Sequence, residues 1–469
     1  MQLNSRRGGL TAALGLLTAN LLAASSAQAQ DTPAPASQSA EEDETGSFLD
    51  DTASEPGSLT LDFAVLFYQE QGGRVRAIEP AATITLNRRN GDVFTAGTTY
   101  DTLTGATPNG AAPWTAAQTF VNPVQPLGSQ KALTSASGKH KTLVTLPGGA
   151  VVQQYIAAPN TLPLERDFTD DRHGVELGWT HVLDPETKIS FGLSGSNERD
   201  YRSFSGNLGL SRDLPGKNTT LSLAGNIELD QARPLYGIPV PLTPMSSLTK
   251  GPYQSKRVYS LVAGVTQLLS RNWLVQLNYS WGSGEGYQTD PYKIVSVVSA
   301  ATGAPLSYLY ESRPRSRVRQ SLYLASKLSI GSAVTDVSLR YYHDSWKIGA
   351  MTAEASETFP IGKSFYVAPG ARYYHQTGAN FFNYYLLGAA PLPEYASSDA
   401  RLARFSAVTF SLKGGAKLSP KVEVYLLGED YRQSGTHHPA GAPGALAGED
   451  FFAGVHAFSA VAGLKYHFR

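Results

Sequence analysis

The sequence contains no cysteine and has little charge. The absence of cysteine excludes disulfide frameworks, thiolate metal sites, iron–sulfur clusters and cysteine nucleophiles. Charged residues make up 17% of the 469 residues, with 39 Lys and Arg against 39 Asp and Glu, so the chain is not a basic nucleic-acid binder. Beyond the N-terminus no apolar run approaches the roughly 20 residues that a membrane helix needs. Chemistry at any site must therefore come from carboxylates, histidines and hydroxyls.

The N-terminus has the three parts of an export signal. Arg6 and Arg7 precede an apolar run at about 10–24, and a small-x-small cleavage site ends at Ala29. We therefore predict a signal peptide at 1–29 and an extracytoplasmic mature protein.

The segment that follows, residues 30–57, carries acids and no Lys or Arg, together with several Ala, Ser and Pro. Such a composition cannot bury enough apolar surface to offset the chain entropy. We predict a disordered acidic periplasmic leader here, and a folded part at 58–469. The acids of the leader are Asp31, Glu41, Glu42, Asp43, Glu44, Asp50, Asp51 and Glu55.

In the folded part, apolar residues recur at every second position. In the segment 273–281, for example, Trp273 and Leu277 share one face, and Gln276 and Asn278 share the other. This period is typical of a strand with one face in an apolar medium and the other in a polar one. Sixteen segments with this pattern predict strands at about 58–68, 75–88, 92–104, 173–183, 187–199, 201–212, 219–230, 256–269, 272–284, 316–330, 334–346, 349–360, 363–376, 401–413, 420–433 and 452–468.

The connections between these segments alternate between tight turns and long stretches. The long connections lie near 105–172, 231–255, 285–315, 377–400 and 434–451. Short periplasmic turns opposite long external loops are typical of bacterial outer-membrane barrels. A soluble sandwich would not sort its loop lengths by side so regularly. We therefore predict an all-β protein, a closed antiparallel transmembrane β-barrel of about 16 strands in the bacterial outer membrane.

The C-terminus adds an independent sign of this fold. An unbroken row of alternating apolar residues ends one residue before the chain does: Phe458, Ala460, Ala462, Leu464, Tyr466 and Phe468. Such a row resembles the terminal strand signal by which the barrel-assembly machinery recognises outer-membrane barrels, although Arg469 follows the final aromatic residue.

Several spaced motifs resemble one bacterial family. They are YDTLTGATPNGA (100–111), GYQTDPYKIVSVV (286–298), RPRSRVRQSLY (313–323), LRYYHDSWKIGAMTAE (339–354), PGARYYHQTGANFF (369–382) and LSPKVEVYLLGEDYR (418–432). In this order they are similar to the family catalogued as domain of unknown function thirty-five seventy. The resemblance implies an outer-membrane β-barrel of unassigned activity.

A barrel of about sixteen strands has a porin-sized interior. Extending the strand alternation places an arginine ladder on the inward face at the external mouth, where it would concentrate anions. In other interpretations, these arginines pair with inward acids or, if they point outward, contact lipopolysaccharide phosphates. The candidate pore and selectivity residues are Arg313, Arg315, Arg317, Arg319, Arg340, Arg372, Glu228, Asp230 and Glu354.

The favoured function is a porin-like channel for small polar or anionic solutes. The alternative is a plugged structural or interaction barrel that holds an exported partner, with the 105–172 connection or the leader filling the lumen. A membrane-embedded hydrolase is a third hypothesis, although neither an H-E-x-x-H motif nor a G-x-S-x-G elbow is present. We predict no catalytic residue, metal or cofactor. The expected partners are outer-membrane lipid, lipopolysaccharide, the barrel-assembly machinery and small solutes, without nucleic acid.

Overall fold

A computed structural model of the chain describes residues 57–123, 142–145, 151–234, 237–247 and 249–468. The predicted signal peptide and almost all of the predicted leader lie outside these ranges, so both stay predictions. Among the described residues, no helix has the length and apolar character required to cross a membrane.

The regular secondary structure of the described chain is almost entirely β-strand. In chain order these are β1 (Leu59–Glu70), β2 (Arg76–Asn87), β3 (Val93–Pro108), β4 (Gln118–Pro123), β5 (Thr142–Thr145), β6 (Val151–Ala157), β7 (Leu164–Asp184), β8 (Thr187–Glu198), β9 (Tyr201–Asp213), β10 (Thr219–Ala232), β11 (Ile238–Pro239), β12 (Lys250–Gly251), β13 (Gln254–Ser270), β14 (Trp273–Gly286), β15 (Ile294–Val298), β16 (Pro305–Tyr310), β17 (Ser316–Ile330), β18 (Ala333–Asp344), β19 (Gly349–Ile361), β20 (Phe365–Gln376), β21 (Leu386–Leu387), β22 (Phe405–Ser419), β23 (Val422–Gly435) and β24 (His456–His467). Short 3-10 turns occupy Gln71–Gly73, Ala400–Leu402 and Gly444–Gly448.

Sixteen of these strands form one closed antiparallel barrel, in the order β1-β2-β3-β7-β8-β9-β10-β13-β14-β17-β18-β19-β20-β22-β23-β24. The predicted fold and strand number are confirmed, and each predicted segment overlaps one barrel strand. β1 pairs with β24 from Thr60 and His467 to Glu70 and Ala457, so the sheet has no open edge. Closure is what a lipid environment requires, because an open edge would leave backbone groups unpaired.

The outside of the barrel is apolar and the inside is polar. On β10, Leu223 and Ile227 are about half exposed on the outer face, whereas Asn226 and Glu228 point inward and are buried. The same alternation continues around the ring, as expected for a strand between lipid and a polar interior. The barrel is therefore of the transmembrane, outer-membrane type.

Loop length differs sharply between the two ends of the barrel. The start of β1, the end of β24 and tight turns such as those at 271–272 and 331–332 lie at one end. The long connections all lie at the other end, together with three short turns at 71–75, 199–200 and 345–348. The end without long connections is the periplasmic one. β3 and β7 extend beyond their predicted limits, to Pro108 and from Leu164, so their connection is shorter than the predicted 105–172.

One row across the periplasmic half of the inner wall alternates tyrosine and glycine. Tyr366, Gly415, Tyr425 and Gly463 are direct neighbours on β20, β22, β23 and β24. Each ring lies over the glycine of the next strand: a Cβ on Gly415 would be 2.2 Å from Tyr366 Cε1, and one on Gly463 would be 2.0 Å from Tyr425 Cζ. The rings thus fill the space that the missing side chains leave.

Candidate functional site

The long connections fold together into a cap at the external mouth. At its centre is the hairpin of β15 and β16, which belongs to the connection between β14 and β17. All of β15 is buried, and Ile294 and Val295 have no exposed surface. A strand that is buried on both faces needs other chain segments on both sides.

The connection between β3 and β7 covers one part of this hairpin. The backbone N–H of Ile294 donates to the carbonyl of Asn109 at 2.9 Å, and the N–H of Ala112 donates to Ser296 Oγ at 2.9 Å. The fit is close, since a Cβ on Gly110 would lie 2.3 Å from the carbonyl oxygen of Ile294.

The connection between β10 and β13 pairs with β16. The N–H of Met245 donates to the carbonyl of Tyr308 at 2.7 Å, and the N–H of Leu242 donates to the carbonyl of Tyr310 at 3.0 Å. Met245 and Tyr310 also belong to one buried apolar cluster with Ile294.

The connections after β20 and β23 complete the cover. The N–H of Gly388 donates to the carbonyl of Val298 at 2.9 Å, in line with the parallel pairing of β15 and β21. The N–H of Ala445 donates to the carbonyl of Thr302 at 3.1 Å. Val298 shares a cluster with Leu446 and other buried residues of the cap.

These connections leave the barrel at strands spread around the whole ring. Segments that start on different sides of a ring meet only over its opening, so the hairpin lies across the external mouth. It is also tied to other parts of the barrel wall. Tyr292 Oη donates to Asp200 Oδ2 at 2.5 Å in the turn between β8 and β9, and Lys293 Nζ donates to the carbonyl of Pro108 at 2.5 Å at the end of β3.

A charged network joins the hairpin connection to the connection after β20. Arg313 Nε lies 2.7 Å from Glu311 Oε1, and Arg313 Nη2 lies 2.7 Å from Asp399 Oδ2. Arg401 pairs with Asp399 and, at 2.6 Å, with Asp290 Oδ2. The side chains of Arg313 and Glu311 have no exposed surface. We call these five residues, 290, 311, 313, 399 and 401, the cap lock.

Burial and charge shift the pKa values of the two central carboxyls in opposite directions. Burial raises the pKa of Glu311 to about 7, although Arg313 opposes this effect. Burial would also raise the pKa of Asp399, but Arg401 and Arg313 together hold it well below its usual range. The cap lock therefore contains one carboxyl that is a firm anion and one that titrates near neutral pH.

The structure separates the four arginines of the predicted ladder. Arg317 and Arg319 lie on β17 and face inward, as the alternation predicts. Arg313 belongs to the cap lock, and Arg315 is exposed, with Nη2 3.4 Å from Gln254 Oε1. β17 begins only at Ser316, so the inward alternation does not extend to Arg313 and Arg315.

The inward arginines are partnered. Arg317 Nη2 lies 2.8 Å from Asp344 Oδ2, and its guanidinium stacks 4.2 Å from the ring centre of Trp346, which is buried under the cap. Arg319 is almost fully buried and lies opposite Asp344 in the strand register. Arg340 lies over the ring of Tyr323 at 5.5 Å.

The remaining candidate residues also face inward, on two separate parts of the wall. Glu354 and Arg372 are direct neighbours on β19 and β20. On the other side of the lumen, Asp230 Oδ2 lies 3.3 Å from Lys256 Nζ, and Glu228 is buried beside them. The predicted residues thus form several local ion pairs. Their role in a pore stays a prediction.

The strand register identifies which charged residues face the lumen. The inward bases are Arg172, Lys188, Lys256, Arg317, Arg319, Lys327, Arg340, Arg372, Lys413, Lys417 and Lys465. The inward acids are Asp62, Glu70, Glu79, Asp101, Asp170, Glu176, Glu198, Asp213, Glu228, Asp230, Asp336, Asp344, Glu354, Glu423 and Glu429. Acids outnumber bases among these positions, which does not favour a strong anion filter.

Histidine contacts give little support to the hydrolase hypothesis. His375 Nδ1 lies 2.9 Å from Ser406 Oγ, but both residues alternate with inward ones and so face lipid. His437 pairs with Asp450 in an exposed connection. Across the described ranges, no group of three or more His, Asp or Glu is placed to hold a metal ion.

The central hairpin was not among the predicted functional residues, and of the cap lock only Arg313 was, in a different role. One signal for the hairpin was present: residues 294–298 form a continuous apolar run with one serine inside a long connection. Such a run is typical of a fully buried strand. Nothing comparable marks Glu311, Asp399 or Arg401, because their pairing depends on contacts between distant loops.

The family model described as "Protein of unknown function (DUF3570)" matches residues 12–468. The chain belongs to this family. No curated protein matches it.

Solved structures give only distant similarity. The chain is similar to a "Bacterial polysaccharide outer membrane secretin" at 7% identity and a TM-score of 0.43, over 88% of this chain and 100% of that one. CdiB from Acinetobacter baumannii is 8% identical with a TM-score of 0.42, over 87% of this chain and 60% of CdiB. The siderophore receptor PirA from Pseudomonas aeruginosa is 9% identical with a TM-score of 0.36, over 81% of this chain and 57% of PirA. The chain thus covers less than two thirds of the last two proteins, and similarity at this level assigns no function.

Proposed function

We propose that this protein is a gated outer-membrane conduit for small polar solutes and that its external cap is the gate. The observation that carries the proposal is the position of the β15–β16 hairpin, which hydrogen-bonds to connections from both sides of the mouth. A sixteen-stranded barrel is wide enough for an aqueous channel unless something fills it. A folded cap across such a barrel would prevent continuous flow until it moves.

The charges of the lumen wall favour a pathway for polar solutes in general, without a preference for anions. Its charges are mixed in sign and many are paired across neighbouring strands, as with Lys256 and Asp230. A ring of one sign is what produces selectivity for the opposite sign. The proposed pathway therefore selects by size and polarity, and its charged side chains mainly pair with each other within the wall.

The experiment is single-channel conductance in planar bilayers with the full mature protein and two loop variants. In the first variant a short Gly-Ser linker replaces residues 289–312, which removes the hairpin. In the second, the matched control, residues 389–393 are removed, because this tip of the cap is exposed throughout. A heat-dependent gel shift verifies that each barrel is folded.

We expect rare, brief openings from the unaltered protein and from the control, and steady conductance from the hairpin variant. Steady conductance of the unaltered protein would show that the cap is not a gate. A folded hairpin variant without conductance would rule out the conduit.

A second candidate, an interaction barrel with an occupied lumen, is favoured by one observation. Leu66, Leu427 and Val461 face inward yet are buried, in an apolar cluster on the wall formed by β1, β23 and β24. The interior of an open channel is usually polar. This candidate predicts no conductance from either loop variant.

The proposal also includes two expected partners. The alternating outer face of β24 would be recognised by the barrel-assembly machinery, since Phe458, Leu464 and Tyr466 share that face. Lipid of the outer membrane would surround the apolar exterior.

A further inference from the structure

The outer face of the barrel has a distinct surface at the external ends of β9, β10 and β13. Arg202, Gln231 and Ser255 are direct neighbours in one row on this face. The next row toward the membrane centre contains Phe204, Leu229 and Arg257. The two rows line a depression with a volume of about 480 Å³. We call these six residues the rim surface.

The rim surface combines apolar area with two available cations. Phe204 and Leu229 are 54% and 50% exposed. Arg202 and Arg257 are exposed as well, and neither makes a hydrogen bond or an ion pair within the described residues. An acid on this face, Glu285 of β14, is the cross-strand neighbour of Arg257. It lies on the side of Arg257 that points away from Arg202, so it is not between the two arginines.

The position of the rim surface matches the headgroup level of the outer leaflet. It lies at the external ends of its strands, directly above a continuous apolar exterior that includes Leu208, Ile227 and Leu261. Just beyond it, Arg233 stacks on the exposed ring of Tyr253 at 5.0 Å. Arginine and tyrosine at this level are typical of a membrane interface.

The spacing of the two arginines fits one phosphate group. They lie on strands two apart and in successive rows, which places their backbones roughly 10 Å apart across the sheet and about 7 Å apart along it, or roughly 12 Å in total. Two long side chains can converge over that distance, and guanidinium groups bind phosphate through paired, charge-assisted hydrogen bonds. Phe204 lies directly below Arg202, and Leu229 lies between Phe204 and Arg257 in the same row, where the acyl chains of a lipid would run.

We propose that the rim surface binds lipopolysaccharide of the outer leaflet, with Arg202 and Arg257 on a lipid phosphate and the acyl chains against Phe204 and Leu229. This inference is independent of the gate and goes beyond the proposed conduit. Arg432 provides a contrast on the same side of the membrane. It is also exposed and at the external end of its strand, but it lies 2.7 Å from Asp430, which occupies its guanidinium.

The test is native mass spectrometry of the full mature protein in detergent, titrated with Kdo2-lipid A. Three further probes separate the sources of phosphate: the same lipid without its phosphates, phosphatidylglycerol, and inorganic phosphate at millimolar concentration. The protein is compared with R202Q/R257Q and with the control R432Q, and a heat-dependent gel shift verifies folding of each.

We expect one tightly retained lipid A on the unaltered protein and on R432Q, and affinity at least about tenfold weaker for R202Q/R257Q, as the loss of about 1.4 kcal/mol would produce. The lipid without phosphates should bind as weakly as lipid A binds to the double variant. Equal lipid A affinity in the double variant would overturn the proposal. So would phosphatidylglycerol binding as tightly as lipid A, or displacement of lipid A by inorganic phosphate.

Discussion

Arg313 and Asp399 join two connections that begin on different parts of the barrel ring, with Nη2 and Oδ2 2.7 Å apart and both side chains buried. Arg313 also holds Glu311, and Asp399 also holds Arg401. The charges of Arg313, Glu311 and Asp399 have almost entirely left water, so each depends on its charged partners and on nearby donors such as Ser397 Oγ. The loss of one member therefore affects the whole cap lock.

Arg313→Gln is expected to loosen the cap. It leaves Asp399 and Glu311 buried with one cation fewer, and removing one partner of a buried pair costs about 3–5 kcal/mol. Hydrogen exchange of residues 287–315 should become faster, and limited proteolysis should cut the hairpin connection. Arg315→Gln is the control, because Arg315 is exposed and outside the lock. Equal exchange in both variants would contradict a role of Arg313 in holding the cap.

Cap opening is expected to increase as the pH rises from about 5 toward neutrality. The pKa of Glu311 is raised from 4.5 to about 7 in the closed cap, so the closed cap binds a proton that the loosened cap releases. This contribution to closure is complete below about 4.5 and is lost as the pH rises through about 7. Open probability in bilayers should rise between about pH 5 and pH 7, by at most about tenfold per pH unit, and level off above about pH 7.

Glu311→Gln should remove this pH dependence and keep the cap as closed as at low pH, since the amide cannot ionise. The lowered pKa of Asp399 acts only in strong acid and lies outside this range. An unchanged pH profile in the variant would assign the titration to another group.

Gly415→Ala is expected to destabilise the barrel. The new Cβ would lie 2.2 Å from Tyr366 Cε1, so the ring must leave its place on the wall. Overpacking of this kind costs about 1–3 kcal/mol. Gly428→Ala is the matched control on β23, because a Cβ there meets nothing within 4 Å. Urea unfolding in detergent should have a lower midpoint for the first variant only; a similar loss in both would indicate a general effect of lost glycine.

Ion selectivity should depend on inward arginines and not on all four members of the predicted ladder. In the variant without the hairpin, the combined change Arg317→Gln and Arg340→Gln should shift the reversal potential in a salt gradient further toward cations, because it removes inward positive charge. Arg315→Gln should leave the potential unchanged. A shift with Arg315→Gln alone would place that residue in the pathway.

The sequence predicted the barrel well because lipid imposes one rule on every strand. Trp273 and Leu277 alternate with Gln276 and Asn278 because the exterior of the barrel faces lipid and the interior is polar. Each strand could therefore be predicted from its own sequence. The ends of β3 and β7 were missed because they continue beyond the membrane, where no such alternation is required.

The cap could not be predicted in the same way. Its residues lie in loops that pack against each other and have no repeating pattern of apolar and polar residues. A contact such as that of Arg313 with Asp399 therefore has no signal in the local sequence. The error in the arginine ladder does have a local reason. Pro314 has no backbone N–H to donate to a neighbouring strand, and β17 accordingly begins after it, at Ser316. The alternation that turns Arg317 inward therefore does not apply to Arg313.

The burial of β15 on both faces has a consequence for biogenesis. This strand is covered by segments that come from near the beginning, the middle and the end of the chain, including Asn109 and Ala445 with its neighbours. Contacts between such distant parts of a sequence form late. The cap can be completed only once the segment before β24 has reached the hairpin, so most of the barrel wall precedes the closure of its outer end.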